Sequence, residues 1–135
     1  ATMRRADEST REAADDLLEY VGLDRLRDVR AGRLSFGQQK LLEFAMALMA
    51  QPTVLLMDEP AGGINPTMIE RLLEYIRDAN EQRETTMFLI EHDMDFVMKI
   101  ADRIYVLAHG EKIAEGTPEE IQEDERVLDA YLGRE

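Results

Sequence analysis

Ala14, Leu17, Leu18 and Val21 recur at the spacing of one helical face, and Gly22 closes the run. Residues 24–29 predict a further helical turn, and Ala31-Gly32-Arg33 a break. Gly37 opens a second helix to about Ala50, with Leu41, Ala45, Leu48 and Met49 on one side. Gln51-Pro52 ends it, because proline pushes the residue before it out of helical geometry.

Then the pattern changes. Residues 53–57 are a short apolar run ending in Asp58-Glu59-Pro60, which predicts a strand buried on both faces. Asn65-Pro66 reads as a cap followed by proline in the first helical position, and Ile69, Leu72, Leu73 and Ile76 carry that helix onward. Residues 85–90 predict a second buried strand, ending at Glu91-His92. Asp93 can cap a helix through Met94, Val97 and Ala101. Residues 103–108 predict a third strand, and His109-Gly110 a tight turn into a fourth over residues 112–114. Thr117-Pro118-Glu119-Glu120 is a capping box, and residues 127–132 predict a short amphipathic helix. The order strand, helix, strand, helix, strand argues for an α/β fold with a parallel sheet core over residues 51–135, preceded by a helical segment over residues 1–50. The chain shows no internal repeat.

Composition narrows the classes of function. The 135 residues carry a net charge of -13, which opposes nonspecific binding to nucleic acid or anionic lipid. Three lysines (Lys40, Lys99, Lys112) stand against thirteen arginines, a balance that fits a high-salt organism and equally well an ordinary acidic protein. There is no cysteine, so no disulfide framework and no thiolate metal site. His92 and His109 are too far apart to form a local metal motif. The longest apolar stretch, residues 44–50, is far short of a membrane span, and the first ten residues hold no apolar signal core. The expectation is a soluble, cytoplasmic protein whose link to any membrane runs through a partner.

Three clusters carry candidate chemistry, two of them at the C-terminal ends of predicted strands, where open α/β sheets place ligands. Asp58 and Glu59 follow a buried run; one carboxylate suits magnesium held through water, the other a base that activates an attacking water. The plainer reading is a solvated acidic turn. Leu34-Ser35-Phe36-Gly37-Gln38 precedes a helix, whose free amides and dipole favour an anion such as a γ-phosphate; simple capping by Ser35 would account for it too. His92, at a strand tip, could contact a γ-phosphate or be a surface histidine beside a cap.

Taken in order, LSFGQQ, a helix, VLLMDEP, AGGINP, a helix and LIEHD resemble the ABC ATPase family over essentially the whole chain. The resemblance implies the C-terminal portion of a P-loop NTPase domain that uses ATP and Mg2+. It makes residues 34–38 the signature motif, residues 54–59 the Walker B strand, residues 61–66 the D-loop and His92 the switch histidine. It implies that Asp58 serves magnesium, Glu59 is the general base and His92 contacts the γ-phosphate. Ser35, Gly37 and Gln38 would touch ATP held by an opposite ATPase subunit, and Gly63, Ile64 and Asn65 would lie in the dimer seam. DEPAGGINP, IEHDMDFV and VLDAYLG look like the ATPases of branched-chain amino-acid importers, as does the aromatic Phe36. Partners would then be a second ATPase subunit and membrane permease subunits at the inner face of the cell membrane, with no nucleic acid. Lipid-export ATPases share similar strings.

The sequence departs from the family in places. The phosphate-binding GxxxxGK[ST] loop is missing from these residues: Lys40, Lys99 and Lys112 follow Gln39, Met98 and Glu111, so no Gly-Lys pair occurs. The chain alone is therefore expected to hydrolyse ATP negligibly, and to present an uncovered strand edge and apolar helix face. Met46-Ala47-Leu48 replaces an Arg-Ala-Leu run, and Asn65 stands where aspartate is common. A truncated paralogue acting as a dimerisation or regulatory module is an alternative, against which Glu59 and His92 argue. A chromosome-maintenance ATPase is disfavoured by the lack of heptads and the acidic charge.

Overall fold

A computed structural model describes residues 2–132, and the side chains of residues 7–130; Gly133 of the C-terminal VLDAYLG string lies outside the described residues. The chain divides into two compact units, one through Ile90 and one from Glu91 onward.

In the first unit, helix α1 (Thr2–Tyr20) ends where Gly22 adopts φ +70. The amide of Leu23 donates to the Leu18 carbonyl at 2.7 Å and that of Gly22 to Glu19 at 3.0 Å. These paired bonds satisfy carbonyls that a helix end otherwise leaves open. Single 3-10 turns follow at Asp24–Leu26 and Ala31–Arg33, so the expected break at Ala31 is itself a tight turn. Helix α2 (Phe36–Leu48) buries Leu41, Phe44, Ala45 and Leu48 and packs against α1. Helix α3 (Pro66–Arg83) buries Leu72, Leu73, Ile76 and Ala79. Each such leucine or isoleucine contributes about 1.5–3 kcal/mol on leaving water. The Tyr20 hydroxyl donates to the Tyr75 carbonyl at 2.9 Å, tying α1 to α3.

Strands β1 (Val54–Asp58) and β2 (Thr86–Ile90) pair in parallel, from Val54 opposite Thr86 to Asp58 opposite Ile90. Helix α3 connects them and packs on β2. The strands form where the apolar runs predict, but the expected burial on both faces does not hold. Leu55, Met57, Met87 and Leu89 are half-buried, whereas Val54, Leu56, Phe88 and Ile90 are more than half exposed. Side chains alternate across a strand, so one face of the pair is sheltered and the other is open to solvent.

In the second unit, helix α4 (Met94–Ile100) leads to an antiparallel hairpin of β3 (Ile104–Ala108) and β4 (Glu111–Gly116). Its two linking residues, His109 and Gly110, have φ +51 and +81, the left-handed pair that matches strand twist in a two-residue turn. The order of elements predicts three parallel strands. Among the described residues the parallel sheet has two, and β3 turns back on β4 in a sheet of its own. Helices α5 (Pro118–Glu123) and α6 (Glu125–Leu132) follow, α5 opened by the expected Thr117 capping box. Ile104, Ala114, Ile121 and Val127 form this unit's core, with Met94, Val97, Met98, Ala101 and Val106 packed against it.

Candidate functional site

Asp58 is the last residue of β1 and shares the open face with Val54 and Leu56. The chain then turns sharply. Glu59 has φ +48, left-handed geometry that costs a non-glycine residue about 1–2 kcal/mol. Two bonds hold it there: its amide donates to the Ile90 carbonyl at 2.8 Å, and its carbonyl accepts from the Gly62 amide at 3.0 Å. The position of Glu59 is thus fixed from β2 on one side and from the turn that follows β1 on the other. Strain retained by such over-determination is a feature of functional positions. No sequence signal announces it, because glutamate is not a residue that favours φ above zero.

The Ser35 turn is built by reciprocal capping. Ser35 Oγ accepts from the Gln38 amide at 3.3 Å, and Gln38 Oε1 accepts from the Ser35 amide at 2.9 Å. Gln39 Nε2 donates to the carbonyls of Ala31 at 3.1 Å and Leu34 at 3.3 Å, bracing the preceding 3-10 turn against α2. Ser35 and Phe36 are exposed, and Gly37 and Gln38 half-buried. An anion approaching this end of α2 would meet a hydroxyl, a carboxamide and the positive end of the helix dipole.

Gly63 and Ile64 lie in the loop before α3, and Asn65 caps that helix, its Oδ1 accepting from the Met68 amide at 3.0 Å. The loop approaches the Ser35 turn closely. Gly63 has φ +74, and a Cβ on it would stand 3.0 Å from Cε1 of the Phe36 ring. A Cβ on Gly37 would stand 2.9 Å from Cγ of Met68. Two glycines thus let the first turns of α2 and α3 come together. The sequence shows both glycines but not their opposite partners.

His92 belongs to the second unit and is exposed, between the half-buried Glu91 and Asp93 in the segment joining β2 to α4. Its amide donates to Glu91 Oε2 at 3.3 Å, and Asp93 Oδ1 caps α4 by accepting from the Phe96 amide at 3.1 Å. Among the described residues no group of three histidines, cysteines or carboxylates could cage a metal ion. Asp58 with Glu59 beside it is a hard oxygen donor set. It fits magnesium of the kind that keeps its waters and shares one or two carboxylates with substrate phosphates. Among the described residues no helix is long and apolar enough to cross a membrane.

Comparison with known proteins matches residues 1–62 to the ABC transporter family model and residues 111–135 to the model for the branched-chain amino acid ATP-binding cassette transporter. The chain is 44% identical over 130 residues to the high-affinity branched-chain amino acid transport ATP-binding protein LivG of Salmonella typhimurium, covering 96% of this chain and 51% of that protein. It is 42% identical over 132 residues to its counterpart from Escherichia coli K12, covering 98% and 52%. The chain therefore spans about half the length of the curated relatives it matches. Among solved structures it resembles the ADP conformation of an ATP-binding cassette of an ABC transporter. The TM-score is 0.81 at 34% identity, over 93% of this chain and 51% of the other.

Proposed function

Because this chain belongs to the ABC transporter family of ATP-binding proteins, we propose that it supplies the water-activating carboxylate and the phosphate-facing signature turn of an ATP-hydrolysing subunit in a branched-chain amino-acid importer. The observation that carries the reading is Glu59, held at the tip of the parallel pair by hydrogen bonds to both Ile90 and Gly62. A general base must be placed before it can be used, and these two bonds support that role for Glu59. Asp58 would hold magnesium, in part through water, and that ion would supply charge neutralisation on the phosphates. His92 would contact the γ-phosphate. Ser35, Gly37 and Gln38 would reach ATP held by an opposite ATPase subunit, with Gly63, Ile64 and Asn65 in the seam. Permease subunits would hold the assembly at the cytoplasmic face of the membrane.

These residues include no glycine–lysine pair, and the amides and lysine of a P-loop neutralise most of a triphosphate's charge. Phosphate release by this chain alone should stay at background. The deciding experiment mixes it with an ATPase subunit that carries the loop and measures ATP-dependent association and phosphate release. The expected result is association that needs ATP; when a relative's loop-bearing half is joined to this chain, so that one polypeptide holds both the ATP and Glu59, turnover should fall at least about a hundredfold with Glu59→Gln. Robust hydrolysis by the isolated chain, or no association with ATP present, would refute the proposal. The reciprocally capped, exposed Ser35 turn also fits a second reading, a dimerisation module that lends its signature turn but hydrolyses nothing. In that case Glu59→Gln would leave turnover of the joined chain unchanged.

A further inference from the structure

We infer that Phe36 is a positioning residue: its ring, seated on Gly63, latches the phosphate-facing turn at the start of α2 to the seam loop before α3, with Met68 against Gly37 as the second contact. The inference rests on the roles just proposed for Ser35, Gly37 and Gln38 and for the Gly63–Asn65 loop, and it adds a mechanical link between them within one chain.

Three observations carry it. The Phe36 ring fills the space where any side chain on residue 63 would go, with Cε1, Cζ and Cδ1 all within 3.7 Å of that Cβ position. Gly63 is also left-handed at φ +74, so the backbone independently favours glycine there. On the reciprocal side, Met68 Cγ and Cε lie 2.9 and 3.1 Å from the Cβ position of Gly37. A large residue on each segment therefore meets a glycine on the other. Two such contacts, one on each side, fix a distance and an orientation, where one contact would act as a pivot.

Phe36 is nonetheless 53% exposed, and Lys40 Nζ stands 5.6 Å from its ring centroid. A phenylalanine this exposed adds little to a core, so its placement is better explained by what it holds in register. Any displacement of the seam loop would carry the ring, and with it the backbone amides at the α2 N-terminus. The turn that meets the phosphate and the loop that meets the opposite subunit would then move as one body.

The test has two arms. Amide hydrogen exchange on the full chain reads the latch without a partner. Phe36→Ala should speed exchange of the Gly62 and Ile64 amides, which donate to the Glu59 and Ala61 carbonyls, by about tenfold while the core amides of α3 stay protected. Phe36→Tyr, which keeps the ring, should restore the slow rate. Gly63→Ala is the second variant; it keeps the ring but strains the loop and should loosen the same amides. Unchanged exchange at Gly62 and Ile64 in both Phe36→Ala and Gly63→Ala would overturn the inference.

The second arm measures ATP-dependent association with a loop-bearing ATPase subunit. Phe36→Ala should weaken it about tenfold, and Phe36→Tyr should not, at equal thermal stability. Association unaltered by Phe36→Ala would overturn the coupling. If the unsubstituted chain fails to associate, the proposed function falls, and the exchange arm alone decides whether the latch exists.

Discussion

The parallel pair β1–β2 and the hairpin β3–β4 are each two strands wide, yet they are stabilised by opposite means. The hairpin is local: two residues join its strands, and Lys112 Nζ donates to Glu115 Oε2 at 2.6 Å while Arg103 bonds the other oxygen of the same carboxylate. The parallel pair is joined by the 18-residue helix α3, and its register depends on that helix packing back. Parallel strands are ordinarily covered on both faces, and here only one is sheltered. The unit with the parallel pair also holds Asp58 and the strained Glu59. An open apolar face beside a conformationally costly carboxylate suits a surface that works against another component; the hairpin also exposes Tyr105 and Leu107, but its strand pairing needs no connecting helix.

The strongest way to break this comparison is to remove the support of the parallel pair. Leu73, on α3, has no exposed surface. Leu73→Ala should cost about 2–5 kcal/mol, through lost burial and the cavity left behind. Urea denaturation measures the loss, and amide exchange in β2 should accelerate with it. A cost under about 1 kcal/mol would mean that the pair does not lean on α3.

Capping tests the ends of the helices that frame the site. Ser35→Ala and Asn65→Ala should each cost about 1 kcal/mol, and Ser35→Gly only a few tenths. Thr117→Ala in the second unit should match them, since its hydroxyl makes the same bond to the Glu120 amide. Thermal melts of the three alanine variants give the ranking directly. A much larger loss for Ser35→Ala would show that its turn is held by more than its cap.

The caps are also where the sequence was most legible. Asn65, Asp93 and Thr117 cap as expected, and Ser35 caps as its plainer reading had it, because capping involves only residues three apart. The His109-Gly110 turn was legible for the same local reason. The positions of Asp58 and Glu59 at the end of a strand followed from the apolar run before them. Burial did not follow. An apolar run encodes what could be covered, but Leu56 is 70% exposed because whether a layer lies over it depends on distant chain. The Phe36–Gly63 and Tyr20–Tyr75 contacts were hidden likewise, since no spacing rule joins residues that far apart.

The open face makes a prediction with a smaller effect. Leu56→Ser with Phe88→Ser should change stability by no more than about 0.5 kcal/mol, as for other exposed sites. The same substitutions should lower self-association measured by light scattering, because they remove adjacent apolar surface from water. A loss of several kcal/mol would mean that the face is covered in solution.

The smallest effect separates the units by pH. In the second unit, hydrogen bonds from Lys112 and Arg103 pull the Glu115 carboxyl down from 4.5 to about 2. Between those values the unfolded chain binds the proton and the folded chain does not, so stability is full above about pH 4.5 and is lost as the pH falls toward 2. Asp124, bonded by Arg126, and Glu119, by its own amide and Thr117, are lowered too, with the same sign. Glu115 and Glu119 are exposed and Asp124 half-buried, all within reach of ions, so salt should blunt the effect. In the first unit the shift runs the other way. Burial, then the Asp78 carboxylate, pushes the Tyr20 phenol above its ordinary value of 10.0. The unfolded chain would ionise first, so that contribution is present below pH 10 and lost as the pH rises past it. Chemical-shift titration with residue-resolved exchange should therefore show β3–β4 amides loosening on the acid side and the α1–α3 contact loosening on the alkaline side. Glu115→Gln should flatten the first response and leave the second, and Tyr20→Phe the reverse. If each substitution flattened both responses, the two units would share one transition, and the contrast between a self-contained hairpin and a supported parallel pair would not survive.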